Sequence, residues 1–407
     1  MICRSCGSGS LTRVLDLGLH RLPDFPTPQD YAADTGQTDV HPLSLVICAG
    51  CTLVQLEQTT PRGLLYHDRY GFRSGTNEAV RADLTDVVNY ARTVVPDART
   101  WLDIACNDGT LLSNVPPTVW RVGVDPLSQL APQARRFADR VVSDYFSPRL
   151  RHVGNTAFDV VTSVSMFYDL DDPNAFAAGV AEVLAPGGAW VVQQNYALDM
   201  VRSLAVDNIC HEHVTYWSVT SMVPLLAAHG LEVNDVTYST VNGGCFRTLV
   251  SHRGERPVSA SVADALEREA AAGLWNPVTW DTFGERVRAE LGKLQRFLSA
   301  VTDRGKTVDL YGASTRGGTF LQMIGAGPSV LRQAVERSPD KVGKVMAATG
   351  LPIVGEDVMR ADPPDYLLVS PWFFRDVFLV RERAYLEAGG TMVFPLPQFD
   401  MVTGSPS

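Results

Sequence analysis

The chain has no apolar run approaching the twenty or so residues of a membrane span, and its N-terminus lacks the apolar core of a signal peptide. A cytoplasmic protein without a membrane partner is the expectation. It also lacks a basic excess: 35 Lys and Arg stand against 45 Asp and Glu, a formal net charge of -10. That argues against a nucleic-acid partner, because phosphate binding needs a concentrated basic surface. Neither a 20 to 50-residue repeat nor a low-complexity tract is present, so solenoids and disordered arrays are excluded. The nucleotide fingerprint G-x-G-x-x-G does not follow the first strand of the middle region, and no lysine completes a P-loop there. What remains is a globular α/β chain of 407 residues, long enough for two or three domains.

Cysteine is scarce but concentrated. Four of the seven lie in two C-x-x-C knuckles, Cys3 and Cys6 in CRSC and Cys48 and Cys51 in CAGC. Four thiolates with no imidazole or carboxylate beside them suit a closed tetrahedral Zn²⁺ site. A closed site leaves no position for substrate, so the zinc is expected to be structural. Residues 1–75 are otherwise rich in Pro, Gly, Asp and Thr, with short strand-like runs at 43–47 and 53–56, and such a segment would be marginal without metal.

From residue 76 the pattern changes. Helical spacing over 78–94 precedes TWLDIA at 100–105, a buried strand, and VWRVGVD, VVSDYF, FDVVTSVS and AWVVQQN follow as further strands with helical stretches between them. Alternation of this kind predicts a mostly parallel, doubly wound sheet. A charged helical stretch over 259–303 separates it from a second α/β unit whose strands begin at TVDLYGAS, YLLVSPW and TMVFPLP. Domains are placed at 1–75, 76–255 and 256–407.

Ligands of open α/β sheets sit at the carboxyl ends of the strands, which brings the turn Cys106-Asn107-Asp108-Gly109 into the expected crevice. With Asp103 beside it, this turn suits a ligand carrying an amino acid and a sulfonium better than a phosphate. The next strand ends in Gly123-Val124-Asp125-Pro126, where Asp125 could grip a ribose diol in a bidentate manner. Asp144, followed by Tyr145, ends the strand after that, near an adenine amino group, and Ser163 and Ser165 belong to the strand FDVVTSVS. These three acidic positions in order resemble the first motifs of a class I S-adenosylmethionine methyltransferase with a Rossmann-like sheet.

Beyond that sheet, residues 207–218 read DNICHEHVTYWS, with His211, Glu212 and His213 adjacent. H-E-H is not H-E-x-x-H and does not set two imidazoles on one helical face. In an extended segment His211 and His213 would share one face and Glu212 the other. Imidazole titrates near neutrality and can take a carbon-bound proton once a neighbouring carbonyl acidifies it. Downstream, Ser314-Thr315-Arg316-Gly317-Gly318 offers backbone N–H groups and a guanidinium suited to a diphosphate at a helix N-terminus. Arg247 and Arg73 could pair either with a phosphate or with an acidic neighbour.

At this point the whole chain resembles the zinc-containing sugar C-methyltransferases that act on nucleotide-linked 4-keto deoxysugars in antibiotic pathways. The paired knuckles, YGFRSGTN at 70–77, the 103–112 motif, the H-E-H segment, NGGCFR at 242–247 and YGASTRGG at 311–318 carry the resemblance in that order. It implies an N-terminal four-cysteine zinc-binding domain, a central methyltransferase domain and a C-terminal Rossmann-like domain with substrate held between them. It also implies S-adenosylmethionine as methyl donor and a base at His213, with Glu212 and His211 as companions, while His211 or Tyr70 could stabilise the developing oxyanion at O4 by hydrogen bonding. Arg73, Ser74, Asn77, Asn195, Asn242, Arg247, Ser314 and Arg316 become expected substrate contacts, and the oligomeric expectation is a monomer or weak dimer. The implied reaction removes the C3 proton of the ketosugar and lets the enolate attack the methyl. The sequence departs from the family's pattern at Cys210, where a tyrosine is common, at Asp169, where a histidine is common, and at Phe72. Methylation at C5 or on oxygen, or binding of a nucleotide sugar without turnover, uses the same scaffold.

Overall fold

A computed structural model describes residues 1–33, 40–66, 71–149 and 157–404. Tyr70, expected near the base, lies outside the described residues. Three sheets organise the described residues. The first is antiparallel and orders Leu11–Arg21, Val40–Cys48, Val54–Leu56 and Thr215–Tyr216. Its longest strand was not expected from sequence: register shifts after Arg13 and Asp16, together with Gly18 at φ +83°, break the alternation that marks a strand. One end of this sheet carries both knuckles. The four sulfurs lie within 4.8 Å of one another, with Cys3 to Cys51 at 3.4 Å and Cys6 to Cys48 at 3.5 Å. A tetrahedron with Zn–S bonds of about 2.3 Å has sulfur edges of about 3.8 Å, so the donor set fits the ion.

The second sheet has seven strands. Five run parallel in the spatial order Leu184–Asn195, Phe158–Val164, Thr100–Ile104, Trp120–Val124 and Arg140–Val142. Cys245–His252 and Leu231–Ser239 extend it antiparallel beyond Leu184–Asn195. All of the parallel strands except the edge strand Arg140–Val142 are buried on both faces, with Asp103, Thr162 and Gln193 among the polar residues inside them. Helix Glu78–Val94 covers one face through Leu84, Val87, Val88 and Ala91, and Asn77 caps it by accepting a hydrogen bond from the Ala79 N–H.

The third sheet is also parallel at its centre, where Leu351–Gly355, Ala334–Glu336, Val308–Tyr311, Tyr366–Val369 and Thr391–Phe394 lie side by side. Each of the two larger sheets therefore opens a crevice at its strands' carboxyl ends. The helical stretch expected to begin the third unit packs there through Phe297, against Tyr366 and Phe399, and through Glu290, which accepts from Phe399 N–H, and it also reaches the other two sheets. Ala260–Ala271 lies on Leu231–Ser239 of the second sheet, and the 26-residue helix Pro277–Thr302 lies against Leu11–Arg21 of the first. No described helix is long and apolar enough to cross a membrane.

The chain crosses between sheets at one informative place. Residues 215–216, far along the sequence, pair with Val54 and Gln55 and so complete the zinc-bearing sheet. Val214 extends the link: its carbonyl accepts from Leu56 N–H and its own N–H donates to the Tyr168 carbonyl, both at 2.9 Å. Asn174 adds a second tie by donating to the Arg4 and Ser5 carbonyls within the first knuckle. His213 is one residue from this junction, so the metal fixes backbone beside it. Removing the metal with a thiol-competent chelator, or through Cys48→Ser, is predicted to lower methyl transfer on the order of 100-fold by misplacing the 210–213 segment. Affinity for S-adenosylhomocysteine, read by calorimetry, should stay within a few-fold because the second sheet does not contain the knuckles.

Candidate active site

The turn after Thr100–Ile104 is conformationally forced. Ala105 and Asn107 both have positive φ, +60° and +51°, and so does Ser165 at +55° after the neighbouring strand. Such conformations cost of order 1–3 kcal/mol each in residues other than glycine and persist where surroundings over-determine them. Here Asn107 is held from three sides. Its N–H donates to Asp125 Oδ2 at 2.8 Å, its Oδ1 accepts from Ser74 N–H at 3.0 Å, and its Nδ2 donates to the Phe72 carbonyl at 3.2 Å. Asp125 also accepts from Leu127 N–H. Gly109 has a separate reason: at φ +83°, a Cβ there would lie 2.8 Å from Ala134 Cα.

A pocket opens over this turn. Asp103, Cys106, Asn107, Asp125, Pro126 and Ser165 line it, joined by Ser74 and Asn242, and by Asp83, Met166 and Asp169, which sequence reasoning did not assign. Four carboxylates and no Lys, Arg or His are among its described lining residues. That donor set fits a sulfonium and an ammonium, and disfavours phosphate. Burial, with Asp125 nearby, raises the Asp103 carboxyl to about 7 against the pull of a hydrogen bond from the Thr162 hydroxyl. Burial raises Asp125 as well. An apolar slot adjoins the pocket, lined by Asp144, Tyr145, Phe146, Phe176 and Ile104.

Three expected cofactor residues stand elsewhere: Gly109, packed on Ala134, Ser163 and Asp108. Ser163 is fully buried and accepts from the Trp190 indole N–H at 2.8 Å, because its side chain points into the sheet's packed face. Asp108 accepts from Gly75 N–H and the Thr110 hydroxyl, fixing the loop around the pocket instead of lining it.

A second cleft, of about 430 Å³, lies at the carboxyl ends of the third sheet. Arg73, Asn77, Asn242, Ser314 and Arg316 line it, with Tyr311, Phe373 and Phe378 as aromatic wall. Its charge is the reverse of the first pocket: Arg73, Arg316, Arg337, Lys341 and Arg381 against Asp207, Glu336 and Glu356. The two cavities share Phe72, Val80 and Asn242.

Several expected substrate contacts are engaged with protein. Arg247 is buried at 4% exposure, donating to Gln193 Oε1 and pairing with Asp86 at 2.9 Å, so of the two partners its sequence allowed, the acidic neighbour holds it. Asn195 donates to Asn208 Oδ1 and accepts from the Cys245 thiol, and it lines neither cavity. Ser314 caps helix Thr315–Met323 by accepting from Gly317 N–H. Arg316 pairs with Asp207 at 2.5 Å, donates to the Asn242 carbonyl and lies over the Phe373 ring. Arg73 pairs with Asp340 at 2.8 Å.

The H-E-H segment is bent, and the extended geometry expected for it does not occur. A hydrogen bond from His213 N–H to the Cys210 carbonyl at 3.2 Å closes a turn. Residue 211 is thereby sent away from its neighbours: His211 contacts the His41 carbonyl at 3.3 Å and packs edge-on against the His41 ring. It is therefore no companion of His213. Cys210, Glu212 and His213 converge on the other side, their ligating atoms within 4.8 Å of one another. Glu212 accepts from the Thr315 hydroxyl at 3.0 Å, and burial raises its carboxyl to about 7. His213 packs on Tyr168 at 4.3 Å, and its Nδ1 contacts the Asn208 carbonyl at 2.8 Å. A carbonyl only accepts, so Nδ1 carries the proton and Nε2 the lone pair. Burial and the charge of Arg316 lower His213 to about 3, so its ring is neutral at physiological pH. Asp169 is raised well above the carboxylate range by burial and then by Glu212.

A knuckle-bearing sheet, an acidic pocket over a Rossmann-like sheet and a basic cleft over another define a zinc-containing, S-adenosylmethionine-dependent methyltransferase. Family models agree and add the acceptor atom. A "Putative zinc binding domain" matches residues 3–66, a methyltransferase domain 76–236 and a C-methyltransferase C-terminal domain 240–397. Together the three models span residues 3–397 and support a zinc-containing, S-adenosylmethionine-dependent C-methyltransferase. C-methyltransferase NovU of Streptomyces niveus is 28% identical over 417 residues, covering 97% of this chain and 95% of that protein. Two solved structures align with less than half of the chain. N-methyltransferase NodS of Bradyrhizobium japonicum, bound to S-adenosyl-L-homocysteine, shares 15% identity over 47% of this chain and 95% of its own, at TM-score 0.35. An S-adenosylmethionine-dependent methyltransferase of Clostridium acetobutylicum shares 13% over 44% and 94%, also at 0.35. Alignments of that quality say nothing about the site.

Asp125→Ala is predicted to weaken S-adenosylhomocysteine binding about 10- to 100-fold, the worth of charged hydrogen bonds to a ribose diol plus the support lost at Asn107. Calorimetric titration of the purified variant checks it.

Proposed function

We propose that this enzyme methylates a ring carbon, C3, of a nucleotide-linked 4-keto-deoxysugar by forming its enolate. The observation carrying the reading is the junction of two oppositely charged cavities through Phe72, Val80 and Asn242. An acidic pocket suits the cationic donor, a basic and aromatic cleft suits a nucleoside diphosphate, and the joint between them is where methyl and acceptor would meet.

S-adenosylmethionine, when bound, supplies an electrophilic methyl on a positively charged sulfur. Asp103 and Asp125 would complement its ammonium and ribose, and Asp144 with Tyr145 its adenine. Carbon methylation further requires a carbon nucleophile, and a ketone makes the adjacent C–H acidic enough for a positioned base. His213 is neutral and carries its lone pair on Nε2, as the base must. An imidazolium formed in so buried a place needs an anion nearby, and Glu212 can supply it once ionised. Asp169, at the wall of the donor pocket, would hold its proton and could donate to the enolate oxygen. On this reading Arg337 and Arg381, whose pairings with Glu356 are long at 3.8 and 3.7 Å, become diphosphate contacts, since Arg316 is held at 2.5 Å by the buried Asp207.

Release of S-adenosylhomocysteine, with mass detection of a methylated sugar, should occur with nucleotide-linked 4-keto-2,6-dideoxyhexoses and not with their 4-hydroxy counterparts. Equal turnover of the hydroxy compounds would contradict the enolate route. The pH dependence carries a sign. Turnover should rise with pH through about 7 as Glu212 ionises. Thr315→Val removes the hydrogen bond that favours the carboxylate, so it should move this limb to higher pH, while an unmoved limb would contradict the role given to Glu212.

A further inference from the structure

The cluster of Cys210, Glu212 and His213 combines three features beyond what a proton-transfer site needs. Its side chains are a thiol, a carboxylate and an imidazole, drawn from four consecutive residues and each at least nine-tenths buried. Their ligating atoms are already within 4.8 Å of one another, so closing around one ion at separations of about 3.5 Å asks for side-chain adjustments of about an ångström. The outer contacts are those of a supported metal site. His213 Nδ1 donates to the Asn208 carbonyl, which orients the ring and frees Nε2, and the Thr315 hydroxyl steadies Glu212.

We propose that Cys210, Glu212 and His213 form a second metal site, for a borderline divalent ion such as Zn²⁺, separate from the four-cysteine site. Sulfur, nitrogen and oxygen donors together select Zn²⁺ over Mg²⁺ or Ca²⁺, which prefer oxygen alone. Three protein ligands leave a fourth position open, unlike the closed set of Cys3, Cys6, Cys48 and Cys51. Occupancy would take the Nε2 lone pair, so the ion acts as a reversible inhibitor. This last clause rests on His213 being the base, whereas the site itself does not.

Metal content separates the two ideas. The purified protein, carrying one zinc per chain, is dialysed against a buffered series of free Zn²⁺ and analysed for total zinc. The wild type should rise from one to two per chain, and Cys210→Ala and His213→Gln should both remain at one. Cys106→Ala, which removes a buried thiol outside the cluster, should still reach two. Native circular dichroism and retention of the first zinc exclude misfolding as the reason for a loss. A wild type that stops at one, or a Cys210→Ala protein that reaches two, overturns the site. Methyl transfer by the wild type should fall as the second zinc binds. Two zinc ions with undiminished turnover would keep the metal site and overturn its inhibitory action, and with it His213 as base.

Discussion

The ion pair between Arg316 and Asp207 joins the two larger sheets at the place where their crevices meet. Arg316 opens the first turn of a helix in the third sheet's layer, and Asp207 stands three residues ahead of the 210–213 bend. Asp207 is almost fully buried, and it also accepts from the Trp372 indole N–H. A buried charge without its partner costs several kcal/mol, so the arrangement is strongly held even if the pair adds little net stability. Thr315, the preceding residue, fastens Glu212 by the same helix end. The position of Glu212, and with it the electrostatics around His213, is thereby a property of three sheets at once. The zinc-bearing sheet sets the backbone at 214–216, the central sheet supplies Tyr168 and Asn208, and the third supplies Thr315 and Arg316.

This arrangement explains how opposite electrostatic demands coexist within one molecule. A sulfonium donor wants carboxylates and a diphosphate wants guanidinium and ammonium groups. Separate sheets provide them, each at its own strand ends, and the shared wall of Phe72, Val80 and Asn242 carries no charge of its own. The polypeptide around residues 71–77 serves both sides: Ser74 and Phe72 brace Asn107, while Arg73 pairs with Asp340 of the third unit.

Much of the architecture was legible because its signals are local. Two C-x-x-C knuckles, the alternation of apolar runs with helical spacing, and acidic residues closing successive strands need no knowledge of distant contacts. The strand Leu11–Arg21 was not legible, since its irregular register hides the period of two. Side-chain roles were harder for the same physical reason throughout: sequence fixes residue type, and tertiary partners fix availability. Arg247 could have paired with a phosphate or with an acidic neighbour, and Gln193 and Asp86 hold it inside. Arg316 lies in a suitable turn, but Asp207 claims its guanidinium. His211 and His213 were expected on one face, and a single backbone hydrogen bond from residue 213 to residue 210 separates them. Asp169 was noted only as a departure from the family pattern, though its place in the wall of the donor pocket makes it a participant in the proposed chemistry.

The central claim is that a neutral, buried His213 removes a proton from carbon before the methyl moves. Solvent exchange at that carbon isolates the step: a nucleotide-linked 4-keto-2,6-dideoxyhexose is incubated in D₂O with the enzyme and S-adenosylhomocysteine, and deuterium at C3 is followed by NMR. Wild-type enzyme should exchange the C3 proton without methyl transfer, and His213→Ala should lose exchange while still binding S-adenosylhomocysteine. Undiminished C3 exchange in His213→Ala would contradict the account.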